Sequence, residues 1–192
     1  ALDADVADTV LAVDGRRVAL ARAGEARRSV DTTRRLFGVD EVRVLGEVDA
    51  ATVDRAFDTA ALACAAQLLG CGERILEETV AYARQRRQFG REIGSYQAIK
   101  HQLADVRIAL DFVGPLVHGA ALGDVPVSAA KVAAGDAAYL ASRVGLQVHG
   151  AIGYTRECDL SLWIGRVRAL VTAWGTPSHH RARLAEHLVG AR

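Results

Sequence analysis

Val53-Asp54-Arg55-Ala56-Phe57-Asp58-Thr59-Ala60-Ala61-Leu62-Ala63-Cys64-Ala65-Ala66-Gln67-Leu68 sets Val53, Phe57, Ala61, Cys64 and Leu68 three or four residues apart. That spacing draws one apolar stripe along a helix, which turns once every 3.6 residues. The stripe resumes at Leu76, Val80 and Ala83 and predicts a single helix of some 30 residues. A helix so long needs other helices to cover its stripe. The downstream sequence supplies them.

A second helix is predicted after Gly94-Ser95, where Tyr96, Ile99, Leu103, Val106, Leu110 and Val113 are spaced like the seam of an antiparallel bundle. It should end near Gly114-Pro115 or shortly beyond, because an internal proline removes a donor and crowds the preceding turn. A third runs from about Pro126 to Val148 and presents Ala130, Ala134, Ala137, Leu140, Val144 and Val148, mostly small residues that permit close approach. A fourth carries Leu160, Trp163, Val167 and Leu170 after a glycine-bearing turn at Gly150 to Gly153. A last short helix begins at Thr176-Pro177, where threonine suits the N-cap and proline the first helical position.

Upstream, the texture is different. Thr9 to Val13, Arg17 to Ala21 and Val42 to Leu45 are short β-favouring runs, and Asp14-Gly15 between the first two signals a hairpin. The fold class expected is mainly α: a partial small β-domain over residues 1–48, then an antiparallel four-helix bundle with a terminal helix over 49–192.

Composition narrows function by exclusion. At 192 residues and 51% hydrophobic the chain can bury a sizeable core. A net charge of +1 does not advertise nucleic acid or an anionic membrane as partner. No run approaches the roughly 20 apolar residues of a membrane span, and the start has no leader-like pattern, so a cytoplasmic protein is expected. Cys64, Cys71 and Cys158 are an odd set without CxxC spacing and read as reduced thiols, two of them on apolar helix faces. No metal site is expected. The paired Glu-x-x-His of di-iron bundles is missing, and His179 and His180 are adjacent, so on a helix they diverge by about 100°.

Two stretches do carry chemical possibilities. Arg84-Gln85-Arg86-Arg87-Gln88-Phe89-Gly90 closes the long helix with cations that complement its dipole, yet three arginines exceed what capping needs. Their planar guanidinium groups also suit a pyrophosphate, and spacing alone leaves both readings open. Gln147-Val148-His149-Gly150-Ala151-Ile152-Gly153-Tyr154 is a helix exit whose glycines end the helix or admit a ligand to the backbone.

Together with Tyr96-Gln97-Ala98-Ile99-Lys100, these stretches resemble three motifs of the acyl-CoA dehydrogenase family, in the family's order. Those motifs are Arg-x-x-Phe-Gly after the first long helix, Phe/Tyr-Gln at the second, and Gln-x-x-Gly-Gly-x-Gly-Tyr/Phe after the third. The resemblance implies that Arg86 and Gln88 contact the FAD pyrophosphate across a dimer interface. Phe89, Thr176 and Ser178 would help hold the cofactor, and Gln147 with the turn at Gly150 would hold its adenine side. Ala151 stands where the family has a second glycine, and its methyl would weaken that contact.

Chemistry in this family removes a proton beside the thioester carbonyl while hydride leaves the neighbouring carbon for the flavin, so a carboxylate base is required. Most members place that glutamate directly before Gly-Thr; here Trp174 precedes Gly175-Thr176. Other members place it on the first long helix, where this chain has Ala60, with Asp58 nearby at a different helical phase. No catalytic residue is therefore assigned. Gly175 to Arg181 is similar to base-less subunits of actinobacterial heteromeric acyl-CoA dehydrogenases. Those act on bulky acyl-CoA thioesters, including steroid side-chain intermediates, as α2β2 assemblies with a homologous subunit that carries the glutamate.

The resemblance also implies a flavin wall that this stretch does not contain, since the family's N-terminal helical domain and the first part of its β-domain precede it. A tetramer is expected rather than a monomer. Two other readings are a scaffold homologue with a dead pocket and a flavin-dependent oxygenase of the same fold.

Overall fold

A computed structural model describes residues 1–155 and 157–190. The chain forms two compact units, Ala1–Thr59 and Ala60–Arg192.

The first unit is built on an antiparallel sheet ordered β1 (Val10–Asp14), β2 (Arg17–Arg27), β3 (Leu36–Glu47). The hairpin signalled by Asp14-Gly15 is present: Asp14 pairs with Arg17 across a turn in which Gly15 takes φ 58. Strands β2 and β3 run further than their β-favouring cores suggest. Their extension is held by pairing from Ala26↔Phe37 to Arg27↔Leu36, with register shifts that absorb the mismatch. After β3, Asp49 caps helix α1 (Ala50–Gln85), accepting from the Thr52 amide at 2.9 Å and the Thr52 hydroxyl at 2.6 Å. Those bonds hold the Asp49 carboxyl below its usual value.

The second unit is helical, with α2 (Gln97–Leu122), α3 (Val127–His149), α4 (Leu160–Thr172) and α5 (Pro177–Gly190). The predicted stripe of α1 is buried at Ala61, Cys64, Leu68, Leu76 and Ala83. Helix α3 is the hub, packed on α2, α4 and α5. Its small residues are the cause. A side chain at Gly145 would lie 2.9 Å from Ile75 Cγ2 and 3.1 Å from the Thr79 hydroxyl, and one at Gly72 would lie 3.4 Å from the Ala138 backbone. Helices α1 and α3 therefore meet almost backbone to backbone.

Two expectations need correction. Helix α2 does not stop near Gly114-Pro115; it carries Pro115 internally and ends at Leu122, where Gly123 takes φ 87. An internal proline costs about 3 kcal/mol, and burial of Val113, Val117 and Ala120 in the bundle core offsets it. The arginine-rich stretch also does not all belong to the end of α1. Only Arg84 lies in the last turn, and residues after Gln85 form a small hairpin, β4 (Arg87–Gln88) against β5 (Arg91–Glu92). Among the described residues, no helix is long and apolar enough to cross a membrane.

Candidate functional site

The hairpin turns at Phe89-Gly90, with φ 52 and 80. Two successive positive φ values match the right-handed twist of a two-residue hairpin, and glycine takes the second at no steric cost. Phe89 takes the first under strain and leaves its ring 92% exposed. Below the turn, the Tyr96 hydroxyl donates to the Gln88 carbonyl at 3.3 Å, and the Arg91 guanidinium lies 4.0 Å from the Tyr96 ring centre. The hairpin is thus tied to the start of α2. Arg86 and Arg87 are exposed and make no ion pair among the described residues.

One groove adjoins this hairpin and a second adjoins the first. The first, of about 440 Å³, is lined by Gln88, Phe89, Ile93, Tyr96, Ala98, Ile99, Gln102, Gln147 and Val148. The other, of about 460 Å³, is lined by Gln102, Leu140, Arg143, Val144, Leu146, Gln147 and Tyr154. Gln102 and Gln147 border both, so residues from all three quoted stretches share one surface. The walls offer amides, one guanidinium and aromatic rings on an apolar floor. Among the described residues, no carboxylate lines either groove.

Of the residues read from sequence, Gln88, Phe89 and Gln147 come together here, with Arg86 at the foot of the hairpin. Gly150 ends α3 at φ 63, its amide donating to the Leu146 carbonyl. Ala151 follows it in a short 3-10 turn, Gly150–Tyr154, exposed and without a positive φ, so its methyl strains no backbone. His149 braces the turn: it is buried, stacks on Tyr82 at 4.3 Å, and its Nδ1–H donates to the Gly145 carbonyl at 2.8 Å. Thr176 and Ser178 lie apart from both grooves, at the start of α5. The Thr176 hydroxyl accepts the His179 amide at 3.2 Å and lies 2.9 Å from the Ser178 hydroxyl, the N-cap that the sequence predicts. Gln102, Arg143 and Tyr154 were not singled out from sequence as site residues. Gln102 and Arg143 occupy polar positions on helices, indistinguishable by spacing from ordinary solvated side chains.

Trp174, at the position where a base is sought, is 55% exposed with φ 54. Gly175 follows at φ 100, and a Cβ there would lie 2.6 Å from His180 Nε2. Gly175→Ala combines a left-handed backbone with a clash against a fully buried ring. It is expected to destabilise by roughly 2–4 kcal/mol, the sum of an unfavourable φ and an overpacked core, read from urea unfolding followed by circular dichroism.

Comparison with known proteins bears on the whole chain. Residues 50–189 match the family model for the acyl-CoA dehydrogenase C-terminal domain. The chain is 33% identical over 188 residues to acyl-CoA dehydrogenase IpdE2 of Mycolicibacterium smegmatis, covering 95% of this chain and 59% of that protein. It is 34% identical to the protein of the same name from Mycobacterium tuberculosis, covering 95% and 58%. The fold superposes on butyryl-CoA dehydrogenase of Megasphaera elsdenii with a TM-score of 0.88 at 21% identity, covering 98% of this chain and 58% of that one. The chain thus spans somewhat over half the length of these relatives. On the match of its helical region, 140 residues from Ala50 to Val189, the chain belongs to the acyl-CoA dehydrogenase family.

Proposed function

We propose that this chain is the FAD-holding, base-less half of a heteromeric acyl-CoA dehydrogenase that desaturates a bulky acyl-CoA thioester, with steroid side-chain thioesters as the first candidates. One observation carries the reading: the surface shared by Gln88, Gln102, Gln147 and Arg143 offers polar groups suited to a dinucleotide, yet among the described residues no carboxylate lines its grooves, and Trp174 stands where the family's base is sought. Amides at Gln88, Gln102 and Gln147 offer both donors and acceptors to an adenine or ribityl edge, and the guanidinium groups of Arg86 and Arg143 suit phosphate oxygens. These residues fit FAD. When bound, the flavin supplies the hydride acceptor for the β-carbon. This chain's residues bind and orient it, while proton removal from the α-carbon requires a carboxylate, which an indole cannot replace. A homologous partner subunit supplies that glutamate.

A tetramer in the cytoplasm is the assembly we expect. The exposed Phe89 ring, carried on a left-handed backbone at the hairpin tip, supports it, because such a ring gains by reaching a neighbouring chain. Co-expression with a glutamate-bearing homologue is expected to yield a yellow complex that reduces an electron acceptor when given an acyl-CoA. A colourless, inactive complex would overturn the proposal and return the chain to a scaffold role.

A further inference from the structure

Between α4 and α5 the chain turns through Ala173-Trp174-Gly175-Thr176 beside a buried polar cluster. His180 has no exposed surface. One ring nitrogen, Nε2, lies 2.8 Å from the Trp174 carbonyl, and the other, Nδ1, lies 3.0 Å from the Ser128 hydroxyl. A carbonyl can only accept, so Nε2 carries the proton and Nδ1 accepts the Ser128 hydroxyl. Lys131, 3% exposed, donates to the Leu170 and Val171 carbonyls at 3.0 and 3.1 Å. Cys64 donates to the same Leu170 carbonyl at 3.3 Å. The last carbonyls of a helix have no partner within it, and here a lysine and a thiol satisfy them.

The turn held in this way is strained. Trp174 takes φ 54, a conformation that a residue bearing a side chain avoids unless its surroundings impose it. His180 lies against this turn: it grips the Trp174 carbonyl and packs where a Cβ on Gly175 would stand.

We propose that His180, oriented by Ser128, is the positioning residue for position 174, holding its backbone left-handed and so setting the direction in which its side chain leaves the chain. The importance of position 174 rests on the functional reading above; the mechanical claim does not. The grip acts on a backbone carbonyl and is indifferent to the side chain at 174, so the turn is built with an indole at that position.

Protonation tests the claim, because it removes the acceptor at Nδ1 and places a cation in the cluster. Among the described residues, the charged or titratable groups that act on His180 are Lys131 from α3 and His179 and Arg183 from α5; Cys64 from α1 and the α4 carbonyls face Lys131. Burial lowers the His180 ring below the usual histidine value; the Trp174 carbonyl opposes this, and Lys131, His179 and Arg183 lower it further. Burial likewise lowers Lys131, with Cys64 opposing. The unfolded chain therefore takes up the His180 proton first. Stability from the neutral ring is complete above the ordinary value of 6.5 and declines as pH falls below it.

The chain has two tryptophans, so Trp163→Phe leaves Trp174 as the sole indole. In that full-length background, acrylamide quenching of Trp174 is expected to rise about twofold once pH falls far enough below 6.5 to charge His180, with helix content by circular dichroism unchanged. His180→Gln keeps a donor near Nε2 but does not titrate, so quenching should stay low across the range. His179→Gln should leave the transition in place. His180→Ala and Ser128→Ala should raise quenching already at the alkaline end; if His180→Ala loses its helices, His180→Gln and Ser128→Ala carry the test. A wild-type profile that stays flat down to the onset of acid unfolding, a transition that survives in His180→Gln, or unchanged quenching in Ser128→Ala would overturn the proposal. None of these readings involves flavin, so a failure to bind FAD would sink the functional reading without touching this one.

Discussion

Arg86→Ala is expected to strip most of the FAD from the assembled protein, weakening its retention by about 10- to 100-fold, since a hydrogen bond to a charged group contributes about 1.5–3 kcal/mol. Gln147→Ala, which removes a neutral amide, should weaken retention by only about threefold to tenfold. The comparison is informative because the two side chains have little to do with folding. Arg86 is exposed at the foot of the hairpin and makes no ion pair among the described residues, and Gln147 is exposed on α3. Each variant should therefore unfold within about 0.5 kcal/mol of wild type, as surface substitutions do. Flavin released on dialysis of the partner-bound complex measures retention, and thermal unfolding supplies the control. Full flavin occupancy in Arg86→Ala would remove the hairpin from the proposed site.

Leu68→Ala is expected to have the largest effect on stability. Leu68 is fully buried on α1, within the core cluster that also includes Ala134, Ala138 and Val113. Truncation loses the transfer energy of three carbons and leaves a space that helices packed backbone to backbone cannot close, at a cost of roughly 2–5 kcal/mol. The melting temperature should fall by about 5–15 °C for a chain of this size. A loss under about 1 kcal/mol would mean that the bundle around α1 is loosely packed.

The bundle was legible because burial in a helix leaves a periodic trace. Ala61, Cys64 and Leu68, or Val106, Leu110 and Val113, are apolar at the required spacing and buried as that spacing implies. The end of α2 was misread because proline's local cost was weighed without the core contacts of Val117 and Ala120, which lie beyond it in sequence. The hairpin at 87–92 was misread for a related reason. Three arginines look like the charged end of a helix, and nothing in their order reveals that Phe89 accepts a left-handed backbone.

For the candidate site, sequence supplied the residue types and the tertiary fold supplied their company. Motif order was enough to single out Gln88, Phe89 and Gln147 and to note that Trp174 stands where a carboxylate was sought. That Gln102 and Arg143 join the first set, or that His180, Ser128 and Lys131 surround the turn at 174, could not be read from spacing. Local sequence sets the periodicity of burial and the chemistry available at each position. Which groups meet depends on helices packing at close range through small residues such as Gly72 and Gly145, a contact between segments far apart in the chain that only the folded structure brings together.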